Sequence, residues 1–231
     1  MESFAKDTDG FFARHFDRKI SGAISRLLLK TPVTPNQITV FVTALGLGAG
    51  GLMAHMGPVA KIEGALLFLV TSILDGCDGE VARAKKMTSK IGGWLDLWGD
   101  NVVHVAVFFG LGVGLAKDTG NARYVMLGEA AVLGTVVSAA LASYQTWRRG
   151  QSSFTSVAGD RASAGEGSVW RRRLVGLSDA LARRDFVYVV IVLAFLQRLS
   201  WFLWACAIGS IVYALILGIL CLFTRPSASP R

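Results

Sequence analysis

Cysteine is scarce in this chain, and its placement excludes the usual uses of the residue. The three present, Cys77, Cys206 and Cys221, fall in apolar stretches at spacings that suit neither a zinc site nor a disulfide framework. They read as small apolar residues of helices. A secretory start is also missing. The first apolar run begins only after some 36 residues carrying both acids and bases, unlike the short basic start and small-residue cleavage site of a signal peptide, so no cleaved leader is expected. No internal repeat is visible, which argues against a stacked-repeat architecture. Acids are in deficit as well, 16 against 24 Lys and Arg, for a net charge of +8.

What the chain has in excess is apolar sequence. Hydrophobic residues make up 52% of it, gathered in runs at 38–56, 62–74, 102–116, 124–142, 186–196 and 201–223. Runs of about 20 residues match the hydrocarbon thickness of a bilayer, and shorter ones can be completed by polar turns at one end. The last run holds 23 consecutive residues without a formal charge, which is hard to place in a water-soluble fold. The expected fold is an all-α integral membrane protein. An amphipathic segment over 1–36 precedes a single domain of six transmembrane helices over 37–231.

The basic residues are sorted by side. With six spans, the first 36 residues carry six Lys or Arg, the connection between spans two and three carries four, that between four and five carries eight, and the C-terminal tail carries two. Only Lys61, Lys117, Arg123 and Arg198 fall on the other side. The positive-inside rule then puts both termini and the two basic connections in the cytoplasm, at the inner or plasma membrane if the source is bacterial. A basic balance can also signal nucleic acid, but there is no soluble module to present it. A basic face meeting anionic headgroups is the simpler reading, with membrane lipid and no nucleic acid as partner.

Before the first span, Phe12, Phe16, Ile20, Ile24, Leu27 and Leu28 recur near helical spacing among Arg14, Arg18, Lys19, Arg26 and Lys30. This pattern predicts an amphipathic helix in the headgroup layer; the alternative is a helix packed on a soluble partner. Thr34-Pro35-Asn36 breaks the chain, and Gln37-Ile38-Thr39 opens the first span. The connection over 147–184 divides into a Gly/Ser-rich stretch at 150–168 and a basic stretch at 170–184.

The chemistry concentrates between Asp75 and Asp100. There the sequence reads Asp75-x-x-Asp78-Gly79-x-x-Ala82-Arg83, then eight residues, then Gly92-x-x-x-Asp96-x-x-x-Asp100. Carboxylates in or beside membrane helices need compensation, because each unpaired charge there is penalised by several kcal/mol. If residue 62 lies near one surface, Asp75 sits roughly 20 Å along its helix, about 10 Å short of the cytoplasmic edge of a hydrocarbon layer about 30 Å thick. Asp96 and Asp100, entering from the cytoplasm near Ser89, reach a similar depth. Taking Asp75 as zero, Asp78 falls near about −60°, Gly79 near +40°, Ala82 near −20° and Arg83 near +80°, one face of the helix. Gly92, Asp96 and Asp100 share a face on the next helix, and the two acidic faces can oppose each other. Gly79, Ala82 and Gly92 leave room for close approach and a ligand.

Four carboxylates in one pocket repel unless protonated or bridged by cations. Oxygen-only ligands favour Mg²⁺ or Mn²⁺, and a pair of such ions suits phosphoryl transfer. Arg83, a turn closer to the cytoplasm, can meet a phosphate oxygen, which points to a pyrophosphate-bearing substrate. The alternative is a set of buried salt bridges from these Asp residues to Arg83, Lys85 or Lys86.

These eight positions reproduce, without substitution, the signature of the CDP-alcohol phosphotransferase family, which the chain resembles. The resemblance implies an amphipathic helix followed by six transmembrane helices, and Thr34-Pro35-Asn36-Gln37-Ile38-Thr39 looks like the segment opening the first span in many members. It implies that Asp75, Asp78 and Asp96 bind metal, with Asp100 close to the ions and acting as general base toward an acceptor hydroxyl. That hydroxyl attacks the β-phosphorus of a CDP-alcohol and expels CMP. Gly79 and Ala82 would admit the nucleotide and Arg83 would pair with its phosphate. Asn36 and Thr39 are candidates for the same pocket, their alternative being to cap the first span. The resemblance further implies a homodimer.

His104, one turn beyond Asp100, is a candidate to orient that carboxylate or relay its proton; a structural role is the alternative. Arg148, Arg149, Arg183 and Arg184 flank the cytoplasmic mouth in this topology and suit a phosphorylated acceptor such as inositol phosphate or glycerol phosphate, although positive-inside topology alone would also place them there. The wording around Asp17-Arg18-Lys19-Ile20-Ser21 and Arg184-Asp185-Phe186 looks more like inositol-phosphate-type members. Some of these carry a cytidylyltransferase domain before the membrane part; none is read here, so a CDP-activated donor is expected from another protein. Two other functions compete, a Mg²⁺-dependent aromatic prenyltransferase and an intramembrane divalent-cation transporter.

Overall fold

Local chemistry sets most helix boundaries in the computed structural model, which describes residues 17–148 and 186–223. Among the described residues the chain forms seven helices and no strand: α1 (Arg18–Leu28), α2 (Pro35–Met53), α3 (Pro58–Ala84), α4 (Lys90–Thr119), α5 (Arg123–Arg148), α6 (Phe186–Phe195) and α7 (Leu199–Phe223). Thr34 caps α2 through a reciprocal box with Gln37, and Pro35 occupies the first turn, where its missing N–H costs nothing. The α2–α3 connection turns at Gly57, φ 89°, directly before Pro58. α3 stops in a Schellman turn: Met87 N–H reaches Ala82 O at 2.9 Å while Lys86 takes φ 55°. Ser89 caps α4, and Gly120 at φ 69° ends it. α6 ends in a second Schellman turn, in which Arg198 N–H reaches Leu193 O at 2.7 Å and Gln197 takes φ 55°, and α7 starts directly after it.

Four of these helices, α2, α4, α5 and α7, are long and apolar enough to cross a membrane. The sequence predicts six spans, and the remaining two runs coincide with α3 and α6. α3 has 27 residues but carries Asp75, Asp78, Glu80 and Arg83 in its C-terminal half, which lowers its hydropathy, and α6 comprises 10 residues. Phe41, Leu66, Leu133, Trp201 and Leu215 are exposed around the bundle, an apolar surface suited to lipid. Of the amphipathic helix expected from the Phe12 to Lys30 pattern, the part from Arg18 is α1; residues 1–16 lie outside the described residues.

α2 organises the bundle. α3 and α4 both pack along α2, more than on each other, although a short turn joins them. The approach of α2 to α4 depends on paired glycines, since a Cβ on Gly110 would lie 2.1 Å from Gly50 O. Such small-residue contacts are how helices associate where lipid removes the hydrophobic drive. α5 packs on α4 and α7, and α6 bridges α3 and α7. The main core runs through Met53, Phe68, Val107, Leu111, Val190 and Leu203.

At the end of the bundle where α3 begins, charge is consumed internally. Lys61 is 4% exposed, yet its ammonium meets Asp118 Oδ2 at 2.5 Å and donates to the carbonyls of His55 and Gly57. Asp118 also accepts from Gly57 N–H at 2.8 Å, and Lys117 donates to Ala54 O. These contacts fasten the α2–α3 turn to the last turn of α4.

Candidate active site

The spread of α3 and α4 along α2 opens a cleft at the level of the motif. Asp75 and Ser72 from α3 and Asp100, Val103 and His104 from α4 line it, together with Thr43 from α2 and Phe186 and Val187 at the start of α6. Asp75 and Asp100, 25 positions apart, therefore face the same space. The helices reach this arrangement because Gly99 sits against α2, where a Cβ would lie 2.7 Å from Thr43 Oγ1.

Asp78 is 7% exposed and held from two sides. The Thr39 hydroxyl donates to its Oδ2, and its Oδ1 accepts from Gly79 N–H at 2.5 Å. Thr39 lies just beyond the first turn of α2, so the helix start reaches the carboxylate directly. The capping alternative for Thr39 and Asn36 is set aside, because Thr34 and Gln37 perform that role. Asn36 instead faces the first turn of α4: a Cβ on Gly92 would lie 3.1 Å from both Asn36 Oδ1 and Ser89 Oγ. Arg83 is exposed and folds back along α3, its Nη1 only 3.3 Å from where a Gly79 Cβ would stand. Ala82 is half-buried beside it. Lys85, one of the cations considered for pairing with the acids, donates to the carbonyls of Thr31 and Val33 at 2.7 and 2.8 Å, fixing the chain that leads into α2. Asp96 is exposed, one turn before Asp100 on α4.

His104 lines the cleft within an aromatic box of Phe68, Phe108 and Phe186, with ring centroids 5.8 to 5.9 Å away. Its Nδ1 lies 2.7 Å from the backbone carbonyl of Asp100, so Nδ1–H is the donor of that contact. Of the acceptor candidates, Arg148 is the last residue of α5, while Arg149, Arg183 and Arg184 lie outside the described residues.

The donor chemistry fits a hard divalent cation: carboxylates and hydroxyls, with no thiolate on the cleft. Among the described residues, no three His, Cys, Asp or Glu side chains are gathered as a ligand set. The fit thus rests on oxygen donors brought to one cleft and not on a closed coordination sphere. Cys77 is buried away from this face, against the carbonyl of Ser21.

Sequence reading missed Thr43, Ser72 and Phe186 as cleft residues, and it missed Glu80. A carboxylate at a variable position of the motif gave no local partner, since the groups that hold Glu80 are 55 to 62 positions away. The available signal was a formal charge on the back of a largely apolar helix, which demands compensation.

Comparison with known proteins adds an independent line. The CDP-alcohol phosphatidyltransferase family model matches residues 32–163. The bifunctional IPC transferase and DIPP synthase of Aquifex aeolicus is 39% identical over 140 residues, covering 61% of this chain and 30% of that protein. This chain thus matches less than a third of that relative's length. Among solved structures, phosphatidylinositol phosphate synthase of Mycobacterium tuberculosis with CDP-DAG bound superposes with a TM-score of 0.59 at 22% identity, covering 92% of this chain and 98% of that one. The same enzyme in complex with manganese and citrate gives a TM-score of 0.54 at 20% identity, over 91% and 92% of the two chains. At such identities the structural likeness establishes the fold alone. The family match spans more than half of the sequence and includes every position of the 75–100 signature, so this chain belongs to the CDP-alcohol phosphatidyltransferase family.

Proposed function

We propose that this chain transfers a substituted phosphate group from a CDP-alcohol to the hydroxyl of an acceptor alcohol, releasing CMP, at the cytoplasmic side of a membrane. The observation that carries this reading is the meeting of Asp75 and Asp100, from separate helices, on one cleft beside the Thr39-held Asp78. Asp75, Asp78 and Asp96, with Asp100 adjacent, hold two Mg²⁺ or Mn²⁺ ions. Such ions neutralise charge on the diphosphate when bound. The manganese in the mycobacterial relative supports this choice.

Arg83 pairs with a phosphate oxygen of the nucleotide, and Gly79 and Ala82 leave the space it needs, with Asn36 at the same mouth. Asp100 takes the proton from the acceptor hydroxyl. The acceptor oxygen bonds to the β-phosphorus, the bond from that phosphorus to the bridging oxygen breaks, and CMP departs with the bridging oxygen. His104 orients the Asp100 segment through the carbonyl it binds. The acceptor is a phosphorylated polyol, inositol phosphate or glycerol phosphate, met by Arg148, Arg149, Arg183 and Arg184. Arg184 precedes the cleft residue Phe186 by two positions, which supports that role. Names of relatives that contain phosphatidylinositol phosphate or IPC favour the inositol type. The protein acts as a homodimer.

The test is incubation of purified protein and Mg²⁺ or Mn²⁺ with a panel of CDP-alcohols and acceptors, scoring CMP. Release that requires both substrates is expected. No CMP from any pair, together with metal flux into liposomes, would replace the enzyme with a transporter.

A further inference from the structure

Glu80 lies inside the motif's variable positions, yet it points away from the cleft. Around α3 it is about 160° from Asp78, on the back of the helix. It is 3% exposed and carries three donors from α1: Ser25 Oγ at 2.7 Å, Ser21 Oγ at 3.1 Å and Arg18 Nη1 at 3.2 Å. A buried carboxylate held this way resists rotation, because turning it away would leave a charge in a low-dielectric environment without its donors. The seat is close. A Cβ on Gly76 would lie 3.7 Å from Ser21 Oγ and 3.8 Å from Arg18 Nη1, and Cys77 Sγ lies 3.6 Å from Ser21 O.

α1 is itself anchored elsewhere. Tyr188 of α6 donates to Asp17 at 2.5 Å, and Lys85 holds the carbonyls of Thr31 and Val33 just beyond the helix. Its outer face presents Ile20 and Leu27, 45% and 65% exposed, as an apolar side for the lipid surface. α1 thus turns Ser21 and Ser25 to the protein, packs Ile24 and Leu28 against the cluster around Cys77 and Val81, and leaves Ile20 and Leu27 outward. Residues 75–83 are clasped between α1 behind and α2 in front, where Thr39 meets Asp78.

We infer that Glu80 is a positioning residue for the transfer site: its clamp on Arg18, Ser21 and Ser25 fixes the rotation of the α3 segment that carries Asp75 and Asp78. This rests on the metal-binding reading of those two residues. The clamp acts through the backbone and touches neither substrate nor metal.

The experiment uses full-length protein in lipid nanodiscs, as wild type, Glu80→Ala, Glu80→Gln and the milder Ser21→Ala/Ser25→Ala pair. Hydrogen exchange over 75–83 reads the clamp, and Mn²⁺ binding followed by electron paramagnetic resonance reads its consequence. Glu80→Ala is expected to speed exchange in this segment and to weaken Mn²⁺ binding about tenfold, as for loss of an outer support of a metal ligand. The serine pair should show a smaller shift in the same direction, and Glu80→Gln, which keeps an acceptor for the serines, should recover most of it. Unchanged exchange would overturn the inference. So would faster exchange with wild-type Mn²⁺ affinity, which would make the clamp a matter of stability alone. If wild type shows no Mn²⁺ binding that Asp78→Asn removes, the metal reading fails instead, and exchange in Glu80→Ala then decides the clamp by itself.

Discussion

The two ends of α3 both bury charge and use it in opposite ways. Near its start, Lys61 is enclosed and answered within the fold by Asp118 and two backbone carbonyls. Fourteen residues on, roughly 21 Å along the helix, Asp75 opens onto a cleft it shares with Asp100. A charge whose donors and acceptors close on themselves is structural. Carboxylates brought from separate helices to the wall of one cleft stand where a ligand can meet them. The closed end also speaks against an ion route through the bundle, since the ammonium of Lys61 stands among the acceptors a passing cation would use.

That contrast can be broken by substitution. Asp100→Asn should have the largest effect, lowering CMP release by about 10²- to 10⁴-fold, the range lost with a general base, while nucleotide binding measured by equilibrium dialysis persists. Normal turnover in that variant would remove Asp100 from the role. Lys61→Met should act at the other end only. It leaves Asp118 without its ammonium and lowers stability by about 1–3 kcal/mol, seen as an earlier thermal transition, while turnover below that transition is retained. An equal loss of turnover at permissive temperature would mean that the two ends are not separate. Thr39→Val keeps the shape of α2 but removes the hydroxyl on Asp78, and should raise the Mn²⁺ needed for half-maximal rate about tenfold. The smallest effect is expected for Arg184→Ala, about threefold on the acceptor KM, the size of a screened ion pair, with the donor KM unmoved. Equal changes in both constants would assign that arginine to structure.

Much of the site was legible because its spacing obeys helical geometry. Asp75, Asp78, Gly79 and Ala82 fall on one face for any α-helix, and the small residues among them announce a close approach. Ser89 as an α4 start and the Pro35 break were readable from capping chemistry. What could not be read was which helix seats α3 and α4. The acidic faces were expected to oppose each other across a short turn, and Asp75 and Asp100 do line one cleft, but α3 and α4 are held there by packing along α2, whose Thr39 reaches Asp78. The role of α1 was half legible. Its apolar pattern suggested a membrane surface, but Ser21 and Ser25 drew no attention, because the carboxylate they hold is far away in sequence.

Residue type and spacing were enough to mark the apolar runs, the carboxylates and the signature through which the chain resembles its family, since these depend on residues no more than a few turns apart. It took the packing of the helices to show that Asp75 and Asp100 share one cleft, that Lys61 is neutralised by Asp118 and that Glu80 serves α1. The two kinds of information differ in range. Helical phase is set by a rise and rotation common to every residue, whereas the partner of a buried charge is chosen by packing between segments that the chain order leaves unspecified.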